Sequence, residues 1–421
     1  MINQTTLQYA LAHADDDVRQ LALKGTREEG VDMTAALQQI QGRRKARTKL
    51  PSWAGRDDIL YPTHLSMEQC SSEATARYKA AIAASLTSRT DVDTVLADIT
   101  GGFGVDFAFM APHFRRAVYV ERSEELAALV RENCRVLGIN ADVRCGDGVD
   151  FIHRLATGHD DDFLRQKSPG GVTLLYADPA RRDSKGGRTY GIGDCTPDVL
   201  PLLGEMLAKS RYVMLKLSPM LDWRKAVADA GAQHVEQVHI VSVGGECKEL
   251  LLLLSKAGTD TPQLICSCDG SIFTCRLDEA LASSAALRQT AAPAAGMFLY
   301  EPDAALMKAG VFDLIAHRYA VRPLAHNSHL FLSHKQVDDF PGRAFVVTAV
   351  SSMSKQSLQK DVLPLQQANI TVRNFHLTAA QLRAKLKLRD GGPHYLFGST
   401  LSDARPVIIV CRKSPPLFTL T

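Results

Sequence analysis

The stretch VLADITGGFGVDFAFMA, residues 95–111, reads as a buried strand, a glycine turn and the opening of a helix. The strand is a short apolar run ending in Asp98, the turn carries Gly101, Gly102 and Gly104, and the helix contains Phe107 and Ala111. Glycines let a backbone approach a ligand closely, and the helix N-terminus beyond them offers N–H groups without intrahelical partners. Nicotinamide and flavin proteins share this arrangement, so the turn alone does not name the ligand.

The following segments narrow it. VYVERS places Glu121 at the end of a second strand, 17 residues beyond Gly104, where a carboxylate can accept from both hydroxyls of a ribose. VRCGDGVDF places Asp147 after a third strand, suited to accept from an adenine amino group, and LLYADPARRD places Asp178 at the end of a fourth. Four carboxylates at four successive strand ends form an ordered set. Around them, short apolar runs alternate with helical segments from Thr94 onward, and ECKELLLLLS follows as a late, deeply buried strand. This pattern predicts an α/β, Rossmann-like doubly wound sheet.

Outward from that sheet, the chain of 421 residues is long enough for two or three domains. With 45% apolar and 23% charged residues it has the composition of a globular protein, and 49 basic against 46 acidic residues give no bulk field for a polyanion. Any nucleic-acid surface must therefore be local. The nine cysteines read as reduced thiols, there is no signal-like N-terminal segment, and no apolar run has membrane-spanning length, so the expected compartment is the cytoplasm. The first forty residues show helical spacing, ending in GRRKARTKLP, where Pro51 predicts a break and a linker to about residue 65. Near the other end, LTAAQLRAKLKLRDGG predicts a helix with Thr378 and Gln381 at capping-box spacing, Leu382 and Leu386 on one face, and Gly391 as its stop. FVVTAV and PVIIVC flank it as strands, making a small C-terminal α+β region.

By the succession DITGGFG, VERS, GDGVD and DPARR, residues 66–280 resemble the class I S-adenosylmethionine (SAM) dependent methyltransferases. More closely, the chain looks like a bacterial group with a DPARR motif and C-terminal ferredoxin-like and THUMP-like domains. EQCSSEATARYKAAI, SVGGECKELL, YEPDAALMKAG and NITVRNFHLTAAQLRAKLKLRDGG carry that likeness. The resemblance implies a helical module over 1–65, the methyltransferase domain over 66–280, a ferredoxin-like segment over 281–324 and a THUMP-like domain over 325–421. It implies SAM as cofactor, with Gly101, Gly102 and Gly104 facing its methionine part, Asp98 near its amino group, Glu121 on the ribose and Asp147 on the adenine.

The acceptor loop would be Asp178-Pro179-Ala180-Arg181-Arg182, with Asp178, Pro179 and Arg181 at the reaction centre and Arg182, Gln69 and Ser71 on the substrate. Amino-methyltransferases usually have an aromatic where Arg181 stands, which weakens an exocyclic-amine assignment. Uracil-C5 enzymes have a cysteine in the segment where Ser218 and Pro219 stand, which disfavours C5 chemistry. No metal is required, and Cys266, Cys268 and Cys275 lack a second ligand pair and read as strand residues. Basic residues gather at Arg43, Arg44, Lys45, Arg47 and Lys49 and again at Arg373, Arg383, Lys385, Lys387 and Arg389. With the THUMP-like resemblance they favour an RNA substrate, tRNA or rRNA. A small-molecule or protein methyltransferase, or a silent SAM- or RNA-binding module, are the alternatives. The oligomeric state is not written in these residues.

Overall fold

The computed structural model describes residues 2–25, 28–88, 93–157, 171–181, 191–283 and 289–414. Contacts divide them into two units: 1–238 with 249–260, and 239–248 with 261–421.

In the first unit, strands β1 (Val95–Asp98), β2 (Arg116–Glu121), β3 (Ala141–Cys145) and β4 (Val172–Ala177) are followed by a two-residue antiparallel pair, β5 (Ala180–Arg181) with β6 (Cys195–Thr196), and by β7 (Ser210–Leu217). The hairpin β8 (Val235–Val243) and β9 (Glu246–Leu254) follows. The order is β8-β9-β7-β4-β1-β2-β3, parallel from β7 to β3, with β9 antiparallel to β7. Residues of β1 and β4 are buried throughout, as an apolar run covered on both faces requires. The chain travels outward from β1 to β3, then returns to β4 on the other side of β1. That reversal opens a crevice at the C-terminal ends of β1 and β4, where ligands of open α/β sheets bind. Polar caps start the helices beside it: Ser72 Oγ accepts from the Thr75 N–H ahead of Glu73–Thr87, and Ser123 Oγ from the Leu126 N–H ahead of Glu124–Leu137.

Three helices lead in, Gln4–Ala12, Val18–Lys24 and Met33–Lys49. The third runs through the basic stretch, and Pro51 opens a further helix, Pro51–Ala54, rather than a linker. Proline is accommodated at a first helical position because its missing N–H would have no partner there. Leu50, with Trp53, Ile59 and Tyr61 of the expected linker, is buried in one cluster with Phe103 of the glycine turn and Val105 of the helix after it. Gly42 makes room for this: a Cβ there would stand 2.2 Å from Tyr61 Cβ.

The second unit contains the tip of the β8–β9 hairpin, beside which β10 (Gln263–Cys268) and β11 (Ser271–Arg276) pair antiparallel. It then forms a second sheet from β12 (Phe298–Pro302), β13 (Arg322–Pro323), β14 (Phe331–Ser333), β15 (Gly342–Ser352), β16 (Asn369–Arg373), β17 (His394–Thr400) and β18 (Pro406–Lys413). Its order is β13-β14-β12-β15-β18-β17-β16. Along β18, Val407, Ile409 and Cys411 enter one apolar cluster while Ile408 and Val410 enter another, the period-two signature of a strand covered on both faces. The capping box at Thr378 and Gln381 forms, and Leu382 and Leu386 are buried. The helix, Ala379–Leu386, stops earlier than Gly391: Lys387 takes the left-handed conformation and its N–H caps the last turn. Among the described residues, no helix is long and apolar enough to cross a membrane.

Candidate active site

Asp98 closes β1 with its carboxylate turned into the glycine turn. Oδ1 accepts from the N–H groups of Thr100 at 3.0 Å and Gly101 at 3.2 Å. Burial pushes this carboxyl well above the usual carboxylate range, with Asp106 and Asp178 adding repulsion. Gly101, Gly102 and Gly104 all have positive φ. Gly102 N–H donates to Glu121 Oε2 at 2.7 Å and Ser123 N–H to Oε1 at 2.7 Å, which fixes the Glu121 carboxylate against the turn. Gly101 is required by that closeness, since a Cβ would lie 2.8 Å from Glu121 Oε2.

Asp147 caps helix Gly148–Thr157: Oδ1 accepts from Val149 N–H at 2.7 Å, and Oδ2 pairs with Arg122. Its partial burial, which alone raises a carboxyl, is outweighed by Val149 N–H and Arg122, and the pKa falls below the ordinary value. Ile99, Thr100, Glu121, Asp147, Gly148, Asp178 and Pro197 are among the residues lining a cleft at these strand ends.

Asp178 follows β4. Its N–H donates to Thr100 Oγ1 at 2.7 Å, tying the ends of β4 and β1 together. Its Oδ2 lies 2.5 Å from Lys216 Nζ, near the end of β7. Burial alone would depress the lysine, but Asp178, Asp106 and Glu249 surround it and hold it more strongly protonated than a free lysine. Behind this pair, Lys79 of helix Glu73–Thr87 is wholly buried, 3.1 Å from Asp106 Oδ1 and in contact with Glu249 Oε2. The Ser71 hydroxyl lies 2.8 Å from Asp106 Oδ2 and 3.2 Å from Glu249 Oε1, and Tyr176 Oη donates to Asp106 at 2.8 Å.

Of the four strand-end residues, Glu121, Asp147 and Asp178 line the cleft, while Asp98 is buried and bound to the glycine turn. Ser71 sits within the buried charge cluster, whereas Gln69 is exposed at the end of helix His64–Gln69 and is not among the cleft's lining residues. Pro179 is buried, Arg181 pairs through its backbone with Cys195, and Arg182 lies outside the described residues. Sequence reasoning missed Lys79, Asp106, Lys216, Glu249 and Gly148. Asp106 in GVDFAFM and Lys216 in VMLKLS interrupt apolar runs, and that is the mark by which these two could have been found.

The basic clusters differ in what they leave free. Arg43 reaches Ala54 O and Asp57, Arg44 reaches Ala14 O, Lys45 pairs with Glu68, Arg47 with Asp15, and Lys49 donates to Met67 O and Glu68 O. The N-terminal run is therefore absorbed in holding its own module together. In the C-terminal run Arg373 pairs with Glu301 and Arg383 with Asp390, while Lys385, Lys387 and Arg389 are exposed.

Among solved structures the chain is similar to a candidate methyltransferase from Porphyromonas gingivalis W83, with 30% identity and a TM-score of 0.80 over 98% of each chain. More distant likenesses are a candidate class I SAM-dependent methyltransferase from Listeria monocytogenes (10% identity, TM-score 0.35, 63% of this chain and 94% of that one) and an rRNA methylase from Streptococcus thermophilus (13%, 0.29, 42% and 95%). No functionally curated protein matches the chain. Family models match residues 298–341 as a ferredoxin-like domain and 342–413 as THUMP domain-like. The chain belongs to the family of the Porphyromonas gingivalis protein, and it joins a Rossmann-like, doubly wound methyltransferase sheet to ferredoxin-like and THUMP-like domains.

Proposed function

We propose that this protein is a SAM-dependent methyltransferase that modifies a nucleotide in RNA, tRNA or rRNA. The observation that carries the reading is the convergence of Glu121, Asp147 and Asp178 on one cleft at the sheet's point of reversal, with the glycine turn held beside it by buried Asp98. SAM presents an ammonium, two ribose hydroxyls and an adenine amine, all hydrogen-bond donors, and the cleft presents carboxylates. Each carboxylate oxygen has two lone pairs, so Glu121 and Asp147 keep acceptor capacity beyond their present partners. Gly146 has no atom within 4 Å of a Cβ position, and Gly102 only Thr100 O at 4.0 Å, so backbone is open to a ligand at both points.

In this reading Asp98, Gly101, Gly102 and Gly104 hold the methionine part, Glu121 the ribose and Asp147 the adenine. Bound there, SAM supplies an electrophilic methyl group on a sulfonium. Asp178, Pro179 and Arg181 border the acceptor, and Arg182, Gln69 and Ser71 belong to the substrate side, Ser71 through the charge cluster. RNA is favoured by the THUMP-like match and by exposed Lys385, Lys387 and Arg389 beside helix Ala379–Leu386.

Calorimetric titration with SAM and with NAD tests the cofactor, and NAD binding without SAM binding would overturn it. Nucleoside mass spectrometry of RNA from deletion and wild-type strains tests the substrate. One methylated nucleoside should disappear; an unchanged profile under several growth conditions counts against RNA.

A further inference from the structure

We infer that the methyl acceptor is a hydroxyl oxygen, the 2′-hydroxyl of an RNA ribose, served by Lys216 and Asp178 at the cleft and by Lys79, Asp106 and Glu249 behind them. This rests on the RNA methyltransferase reading above and narrows it to one acceptor atom.

The charges argue for it. An exocyclic amine is oriented by free acceptors that take its N–H groups, yet here one oxygen of Asp178 is already engaged by an ammonium at 2.5 Å. A carbon acceptor on uracil or cytosine needs a thiolate. Cys70, within electrostatic reach of Lys49, Asp106 and Lys216, is pushed up to about 11 by burial and remains a thiol. A hydroxyl is a weak nucleophile at neutral pH and asks for two things at once: a cation that stabilises developing negative charge on its oxygen, and a base for its proton. The Lys216–Asp178 pair offers both side by side.

The buried cluster explains how the pair keeps those roles. Lys79 is wholly buried and faces two carboxylates, Asp106 and Glu249. One cation against two anions leaves an excess negative charge, which helps keep Lys216 an ammonium; burial first, and then that same charge, makes Asp178 readier to take a proton than an exposed aspartate. Burying a lysine and two carboxylates is costly, and such expense concentrates at functional sites. In the reaction the hydroxyl oxygen bonds to the methyl carbon as the carbon–sulfur bond breaks, its electron pair staying on sulfur. The hydroxyl proton passes to Asp178, and Lys216 keeps its own. Within an RNA strand the 2′-hydroxyl is the sugar hydroxyl not consumed by the backbone, and it is a feature that proteins use to distinguish RNA from DNA.

The test uses the full chain, SAM labelled in its methyl group and total RNA from a deletion strain, followed by alkaline hydrolysis. A methylated 2′-oxygen cannot attack the neighbouring phosphodiester, so label is expected in alkali-stable dinucleotides. Label in mononucleotides would overturn the hydroxyl assignment and leave the RNA methyltransferase reading standing. No label in RNA, from protein that binds SAM by titration, would overturn both. In parallel, Lys216→Met should lower transfer by about 100-fold or more with SAM affinity unchanged. Lys216→Arg, which keeps the charge, should retain the fold and more of the rate. An equal loss of SAM affinity in both variants would place Lys216 on the cofactor side and overturn its assigned role.

Discussion

Gly101 and Glu121 approach so closely that a Cβ on the glycine would stand 2.7 Å from Glu121 Cβ, with φ at +33°. Gly101→Ala must therefore displace the carboxylate or distort the turn, at a cost of about 1–3 kcal/mol. The expected result is a loss of SAM affinity of about tenfold or more by calorimetry, with the circular dichroism spectrum of the wild type.

Gly148 opens its helix directly beneath the end of β1, where a Cβ would lie 2.0 Å from Ile99 O. A backbone carbonyl cannot swing away as a side chain can. Gly148→Ala should lower stability by about 1–3 kcal/mol in urea denaturation, and SAM affinity should fall with it because Asp147 is the adjacent cap.

Lys79→Met would leave Asp106 and Glu249 buried without their shared cation. Breaking such a pair costs about 3–5 kcal/mol at neutral pH. Burial raises the Asp106 carboxyl and Lys79 is the main influence holding it down, so in the variant that carboxyl rises, and the loss should shrink as pH falls and it protonates in the folded state. Urea denaturation across pH 4–8 should show the deficit narrowing toward the acid end, the opposite of ordinary acid destabilisation.

His239 lies in the buried part of β8, and burial pushes its imidazole down to about 3 from 6.5. Between those values the unfolded chain binds a proton that the folded chain does not, so stability should fall as pH drops through that window. His239→Leu should flatten this part of the stability profile in urea titrations, whatever its effect at neutral pH.

Exposed Lys385, Lys387 and Arg389 give the RNA reading a separate test. Replacing all three by alanine should reduce the slope of log affinity against log salt by about 2 for a single-stranded RNA. An unchanged slope, measured by filter binding, would move the phosphate contacts elsewhere.

The strand-end carboxylates were legible in the sequence because each follows an apolar run whose length fixes where its strand stops. Asp98, Glu121, Asp147 and Asp178 were read in that way, and their strands form in the expected order. The basic run at Arg43–Lys49 was legible as charge but not as occupied charge, since its partners Asp57, Glu68 and Asp15 come from other helices and loops. The residues near 50–65 looked like a linker for the same reason: what makes them core is Phe103 and Val105, some forty residues on.

The sequence by itself determined the α/β alternation, the glycine turn and the succession of acidic strand ends, because these follow from local periodicity and from spacing along one chain. Tertiary structure alone decided the partners. Lys79, Asp106, Asp178, Lys216 and Glu249 come from five different elements, and only the return of β4 beside β1 and the antiparallel entry of β9 beside β7 bring them within reach of one another. Coulomb interaction and desolvation depend on distance in space, and distance along the chain says nothing of it until the sheet has closed.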